Sequence, residues 1–231
     1  MPLTVLNISP FIWLAKIGKL DLLKELFGEV AISEETYKEA VEKGFEEGFS
    51  DALVIKDAYE QRRIKVKTLN KNQTAVCEKI MQHSFELHKG EVQAIVLARE
   101  AAKDALLLMD DSSGRAFAEA RGFKVKGVLY TIIAALRNEL LDKAQAKETV
   151  LTLVKKGFRI LAVINPAMHP AEETQAVLGL FDGEIDIYEK ETPEGVSSFL
   201  RIRRMTGQKY SKEEIQLTSE MLEKGIGNIA T

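Results

Sequence analysis

The chain has 231 residues, 45 % hydrophobic and 29 % charged, the balance of a folded globular protein and not of a disordered one. Its 32 basic and 35 acidic side chains leave a formal net charge of -3, which excludes a broad basic surface for duplex DNA and confines any nucleic-acid contact to a local patch. Cys77 is the sole cysteine, so neither an internal disulfide nor a cysteine-built zinc site is available, and three histidines are too few for a histidine-rich metal site.

No run approaches the ~18 apolar residues of a membrane helix, and MPLTVLNISP lacks the pattern of a signal peptide. The expectation is a cytoplasmic protein with no membrane contact. Residues 1–158 carry 24 basic and 23 acidic side chains, whereas residues 159–231 carry 8 and 12. Three of the five prolines (Pro166, Pro170, Pro193) also follow residue 158. A boundary is placed there, giving domains 1–158 and 159–231.

In chain order, Leu3–Leu6 reads as a buried strand. Ser9-Pro10 opens a helix with Ser9 as its cap, and Gly18 stops it. A helix over 20–27, a strand at Val30–Ile32 and a helix capped by Ser33 to about Lys43 follow. A helix over 50–62, a strand at Ile64–Val66 and helices over 73–86 and 91–103 come next. Ala105–Met109 is an apolar strand buried on both faces. A helix over 112–120, a strand at Lys124–Val125 and two helices between 128 and 156 complete this part. Strands separated by helices predict an α/β fold with a parallel sheet.

In such sheets ligands bind beyond the carboxyl ends of the strands. Asn7 ends the first strand, Asp110 and Asp111 end the strand ALLLM, and Glu91 begins a helix after Gly90. Glu39, on the helix after the second strand, can join them. Converging carboxylates need a cation, and oxygen ligands select Mg²⁺ or Mn²⁺. Such a site activates a water for attack on a phosphodiester. Plainer roles exist for each residue. Asp110-Asp111 can cap the next helix, Glu91 can serve the helix dipole, Asn7 can be a turn residue, and the preferred reading of Glu39 is a solvated helix face. Lys65 and Lys67 share one face of a strand, as phosphate contacts or as a solvated edge. Cys77 and Trp13 read as packing residues.

These residues resemble a family. Asn7-Ile8-Ser9-Pro10-Phe11-Ile12, followed by LAKIGKLDLLKELFGEVAI, is similar to the D-[TS]-S-P-L-I opening of one branch of PIN domains. Gly90-Glu91-Val92-Gln93-Ala94-Ile95, LLLMDDSSGR (Leu106 to Arg115), Gly127-Val128-Leu129 and VKKGFRI (Val154 to Ile160) match later elements in order. The resemblance implies a three-layer α/β sandwich with a central parallel five-stranded sheet. It also implies a metal-dependent endoribonuclease that cleaves single-stranded RNA through a metal-bound water. Homodimers and toxin–antitoxin pairing with a small antitoxin are common in the family. Glu91, Asp110 and Asp111 then match the metal-holding acids. Glu39 matches more loosely, and Ser9 matches the hydroxyl near the first acid. Arg115, Lys65 and Lys67 complete the candidate substrate-binding set. Asn7 stands where the family has its first aspartate, so the expected activity is weakened or lost. The alternatives are a non-catalytic RNA- or protein-binding module and a toxin component.

After residue 158, Ile160–Ile164 reads as a strand, 170–180 as a short helix, Glu184–Glu189 and Ser198–Met205 as an alternating β-hairpin, and 213–224 as a terminal helix. The segments FRILAVINPAMHPAEETQAVLGLFDGEIDIYEKE and LRIRRMTGQKYSKEEIQL resemble the end of archaeal KaiC-like ATPases of the RecA class. The chain has no G-x-x-x-x-G-K-[ST], so no ATP binding is expected. The hairpin is expected to mediate dimerisation or to dock a KaiC-like partner, through Ile185 and Ile187 with Phe199 or Leu200 and Ile202.

Overall fold

A computed structural model describes residues 3–101, 105–160, 163–165, 168, 170–179, 181–193 and 195–218. The chain divides into two compact units, 1–160 and 161–231.

The first unit runs β1 (Thr4–Leu6), α1 (Ile8–Lys16), α2 (Asp21–Phe27), β2 (Val30–Ser33), α3 (Glu34–Tyr37), a π-helical turn (Lys38–Lys43), α4 (Gly44–Glu46), α5 (Asp51–Glu60) and β3 (Lys65–Lys67). It continues with α6 (Lys71–His83), α7 (Lys89–Ala101), β4 (Leu106–Leu108), α8 (Ser112–Glu119), β5 (Lys124–Lys126), α9 (Val128–Arg137) and α10 (Lys143–Lys155). The five strands form one parallel sheet in the order β3-β2-β1-β4-β5. The predicted α/β architecture with a central parallel five-stranded sheet is therefore the observed one.

Strand periodicity sorts the core into two layers. Leu6, Ile32 and Leu108 pack on one side with Leu14 of α1, Leu23 of α2, Ile55 of α5, Ile132 of α9 and Leu153 of α10. Val5, Leu107, Met109 and Val125 pack on the other with Ala94, Ile95 and Ala98 of α7 and Ala118 of α8. Cys77 of α6 joins Leu87, Val92 and Val96 behind α7, and burial pushes its thiol up to about 11. Trp13 packs edge-on against Phe158 with ring centroids 5.1 Å apart. Both residues are the packing groups expected.

Several boundaries differ from expectation. Asn7, not Ser9, occupies the cap position of α1, and Ser9-Pro10 lies inside the first turn, where amides lack intrahelical acceptors and proline is tolerated. Ser33 does cap its helix, accepting the Thr36 N–H at 3.0 Å, but that helix passes after four residues into the π-helical turn. α7 begins at Lys89, so Glu91 is its third residue. β4 ends at Leu108, leaving Asp110 and Asp111 beyond the strand.

The second unit holds α11 (Ala171–Leu178) and an antiparallel sheet of β6 (Gly183–Thr192), β7 (Gly195–Met205) and β8 (Ile215–Leu217), in the order β6-β7-β8. The hairpin is the expected one. The terminal helix is corrected where it is described: Glu213 and Glu214 are irregular, and Ile215 pairs with Leu200 as a third strand, an alternation of Ile215 and Leu217 about Gln216 favouring the pleat. The rest of that predicted helix, from 219, lies outside the described residues. Of the predicted strand at 160–164, the described residues Ile160, Val163 and Ile164 carry no ladder, and 161–162 lie outside the described set. His169 lies outside it as well. Among the described residues no helix is long and apolar enough to cross a membrane.

Candidate metal centre

The sheet order reverses between β1 and β4: the chain builds outward from β1 through β2 to β3, then returns to the other flank of β1. The crevice at such a reversal lies beyond the carboxyl ends of the two central strands. Asn7 leaves β1 there, and its N–H donates to the Leu108 carbonyl at 2.8 Å. The residue is 1 % exposed, and among the described residues neither Oδ1 nor Nδ2 has a hydrogen-bond partner. An unpaired buried amide costs about 1–3 kcal/mol, so folding alone does not explain an asparagine here.

Consecutive residues leaving a strand point to opposite faces, and this splits the two aspartates. Asp110 turns to the α9 side. Its carboxylate accepts the Val128 N–H at 3.0 and 3.3 Å and so caps α9 across 18 residues of sequence. Gly127 makes room: a Cβ there would lie 2.0 Å from Asp110 Oδ1. Burial pushes the Asp110 carboxyl up, while the Val128 hydrogen bond and the Arg115 charge oppose the rise. Arg115 is fixed beside it by donating to the Met109 carbonyl at 3.0 Å and pairing with Glu119 at 3.2 Å.

Asp111 turns to the α7 side. Its Oδ1 caps α8 by accepting the Gly114 N–H at 3.0 Å. The Glu91 carboxyl converges on the same glycine, its carboxyl carbon 3.4 Å from where a Cβ of Gly114 would stand. Glu91 is 5 % exposed and accepts the His88 N–H at 3.0 Å. Burial is the main cause that pushes the Glu91 carboxyl above its ordinary range, and the neighbouring Asp111 adds to the rise. Gly114 permits the approach of α8, since a Cβ there would lie 2.5 Å from Met109 Sδ and 3.4 Å from the Glu91 carboxyl carbon.

Glu39 is half-buried, not on a solvated face. Its Oε2 lies 3.2 Å from where a Cβ of Gly90 would stand, at the start of α7 one residue from Glu91. The π-helical turn, a feature frequent at functional sites, brings it there. Ser9 is half-buried in the first turn of α1. Lys65 and Lys67 stay on the β3 edge, where Glu29 pairs with them at 2.8 and 3.9 Å. The structure thus brings Glu91 and Asp111 together at Gly114, keeps Asp110 beside Arg115 at the start of α9 and leaves the two lysines on the outer strand. Among the described residues, no three His, Cys, Asp or Glu side chains are grouped closely enough to hold a metal ion by themselves.

Sequence reasoning did not assign spatial roles to Gly114 and Gly127; the signal available was a glycine in the first turn of the helix after the paired acids, and one immediately before a helix. It also passed over Thr131, fully buried and with no partner for its Oγ1 among the described residues, which no spacing marks. A family model described as a PIN domain matches residues 3–173. No curated protein matches the chain.

Proposed function

Since the chain belongs to the PIN-domain family, whose fold is of the nuclease type and generally uses a divalent metal, we propose that it is a weakened Mg²⁺- or Mn²⁺-dependent endoribonuclease. The observation that carries this reading is the convergence of the Glu91 and Asp111 carboxyls on Gly114 at the rim of the sheet's switch point. Two converging acids are stable there only by sharing a proton or a cation.

The residues fit a hard cation. Glu91 and Asp111 supply two carboxylates, and Asn7 supplies a buried oxygen with no competing partner among the described residues. Asp110 keeps carboxylate lone pairs beyond those used by Val128. The bound ion supplies Lewis-acid polarisation of a phosphodiester and acidifies water. Asn7 contributes no charge, which lowers the cation affinity. Arg115 stands beside Asp110 to meet a phosphate oxygen.

A specific observation favours the second reading, a non-catalytic binding module. Both aspartates already serve as helix caps, and the first acid is an amide. One experiment separates the two: calorimetric Mn²⁺ titration together with single-stranded RNA cleavage, on the natural protein, Asn7→Asp and Glu91→Gln. The nuclease reading expects weak Mn²⁺ binding and slow cleavage in the natural protein. It expects at least about tenfold tighter binding with faster cleavage in Asn7→Asp, by analogy with the effect of metal-site partners, and loss of both in Glu91→Gln. Mn²⁺ binding unchanged in Glu91→Gln, or cleavage absent even in Asn7→Asp, leaves the binding module.

A further inference from the structure

We propose that the groove between the α6–α7 loop and the first turns of α8 is a pocket for one unpaired nucleobase, with Phe85 as its stacking platform. The inference rests on the ribonuclease reading and gives its substrate a place to bind.

Phe85 is 93 % exposed, so core packing does not explain a phenyl ring in this loop. The loop itself is well anchored. Leu87 is 5 % exposed in the cluster of Cys77, Val92 and Val96, and its N–H donates to the Ser84 carbonyl at 3.2 Å. His83 Nδ1 lies 2.8 Å from the Lys79 carbonyl oxygen at one end, and the His88 N–H is held by Glu91 at the other. The exposed ring is therefore carried on a loop fixed at both ends and in the middle.

Beside it lies an open groove of about 710 Å³, with His83, Phe85 and Glu86 on one wall and Ser112, Ser113 and Phe117 on the other. Its chemistry is that of a base: aromatic faces for a flat ring, and hydroxyl, carboxylate and imidazole groups for the polar edges. Phe117 already carries the Arg121 guanidinium at 3.4 Å from its ring centroid, which leaves Phe85 as the open ring. Both walls lead to the acid pair, since Ser112 follows Asp111 and the loop ends at the His88 amide bonded to Glu91. A base seated on Phe85 thus brings its own backbone phosphate towards those acids. A paired base offers neither face nor edge to such a pocket, so the ligand is single-stranded.

The test is a titration of the full chain, in EDTA, into a short single-stranded oligoribonucleotide carrying one 2-aminopurine. The natural protein and Phe85→Trp are expected to quench the fluorescence and bind alike. Phe85→Ala is expected to lose the quenching and about tenfold or more in affinity, the scale of one base–aromatic stack, with its melting temperature unchanged because the ring is exposed. An oligonucleotide with an abasic residue in place of the 2-aminopurine should bind the natural protein as weakly as the intact one binds Phe85→Ala. Equal quenching and affinity in Phe85→Ala, or no binding by the natural protein, overturns the pocket. The titration needs neither metal nor turnover, so retained quenching with failed Mn²⁺ binding sinks the nuclease reading alone.

Discussion

The two sheets of this chain use alternation in opposite ways. In the first unit, Val5 and Leu6, or Leu107 and Leu108, point to opposite faces and are all buried, because helices cover both sides. In the second unit, Ile185 pairs with Ile202 and Ile187 with Leu200 on one face, yet Ile185 and Ile187 are 47 % and 67 % exposed. The other face carries Asp186, gripped by Arg201 and Arg203, and Tyr188 stacked with Phe199. Side-chain period tells which residues share a face. It does not tell which face is covered, because cover comes from other segments of the chain.

The largest expected effect measures that difference directly. Leu108→Ala, at a site with no exposure on the inner side of β4, should cost about 2–5 kcal/mol in denaturant unfolding. Ile187→Ala, removing a similar side chain from β6, should change stability by no more than about 0.5 kcal/mol. Comparable losses at the two positions would mean that the second sheet's apolar face is covered in solution, and the contrast between the sheets would fail.

A smaller effect probes how the first sheet ends. Gly127→Ala places a Cβ against the Asp110 carboxylate that caps α9, and should cost about 1–3 kcal/mol, as overpacking does. Combining it with Asp110→Ala should cost less than the sum of the two single changes, because the clash and the cap share one carboxylate. Strict additivity would show that the glycine serves something other than this close approach.

Much of this was legible in the sequence. Short apolar runs such as ALLLM can be buried only between two layers, so the parallel sheet followed from them. Strand ends put Asn7 and the acids after β4 at one rim of the sheet, but that β1 and β4 are neighbours there was not legible, because pairing is set by contacts between distant segments. The fate of Asp110 was not legible, because its partner, the Val128 amide, is 18 residues away and glycine at 127 marks the spot only by lacking a side chain. Glu39 read as a solvated face because its π-helical turn breaks the 3.6-residue period on which that reading depended. In the hairpin, alternation left Phe199 and Leu200 as rival members of the apolar face. Only the register assigns Leu200 to it, with Phe199 opposite Tyr188.

Acid titration separates the two units by sign. The Glu91 carboxyl is held above its ordinary 4.5, first by burial and then by Asp111. Between 4.5 and that raised value the folded chain binds more protons than the unfolded one, so stability falls as pH rises through the window, and the penalty is complete above it. Glu91→Gln, which keeps an acceptor for the His88 N–H, should therefore raise the unfolding free energy at neutral pH and give no gain below pH 4.5. Asp186 is the reverse case. Burial alone would raise it, but hydrogen bonds from Arg203 and Arg201 hold it below its ordinary 3.8. Its contribution is present above 3.8 and is lost as pH falls through the lowered value, so Asp186→Asn should weaken the protein at neutral pH and matter least in strong acid. Unfolding curves at several pH values for the two variants check both signs. A loss of stability at neutral pH in Glu91→Gln would mean that its carboxylate is already matched by a cation or another positive group, and that the first unit, like the second, pairs its acid.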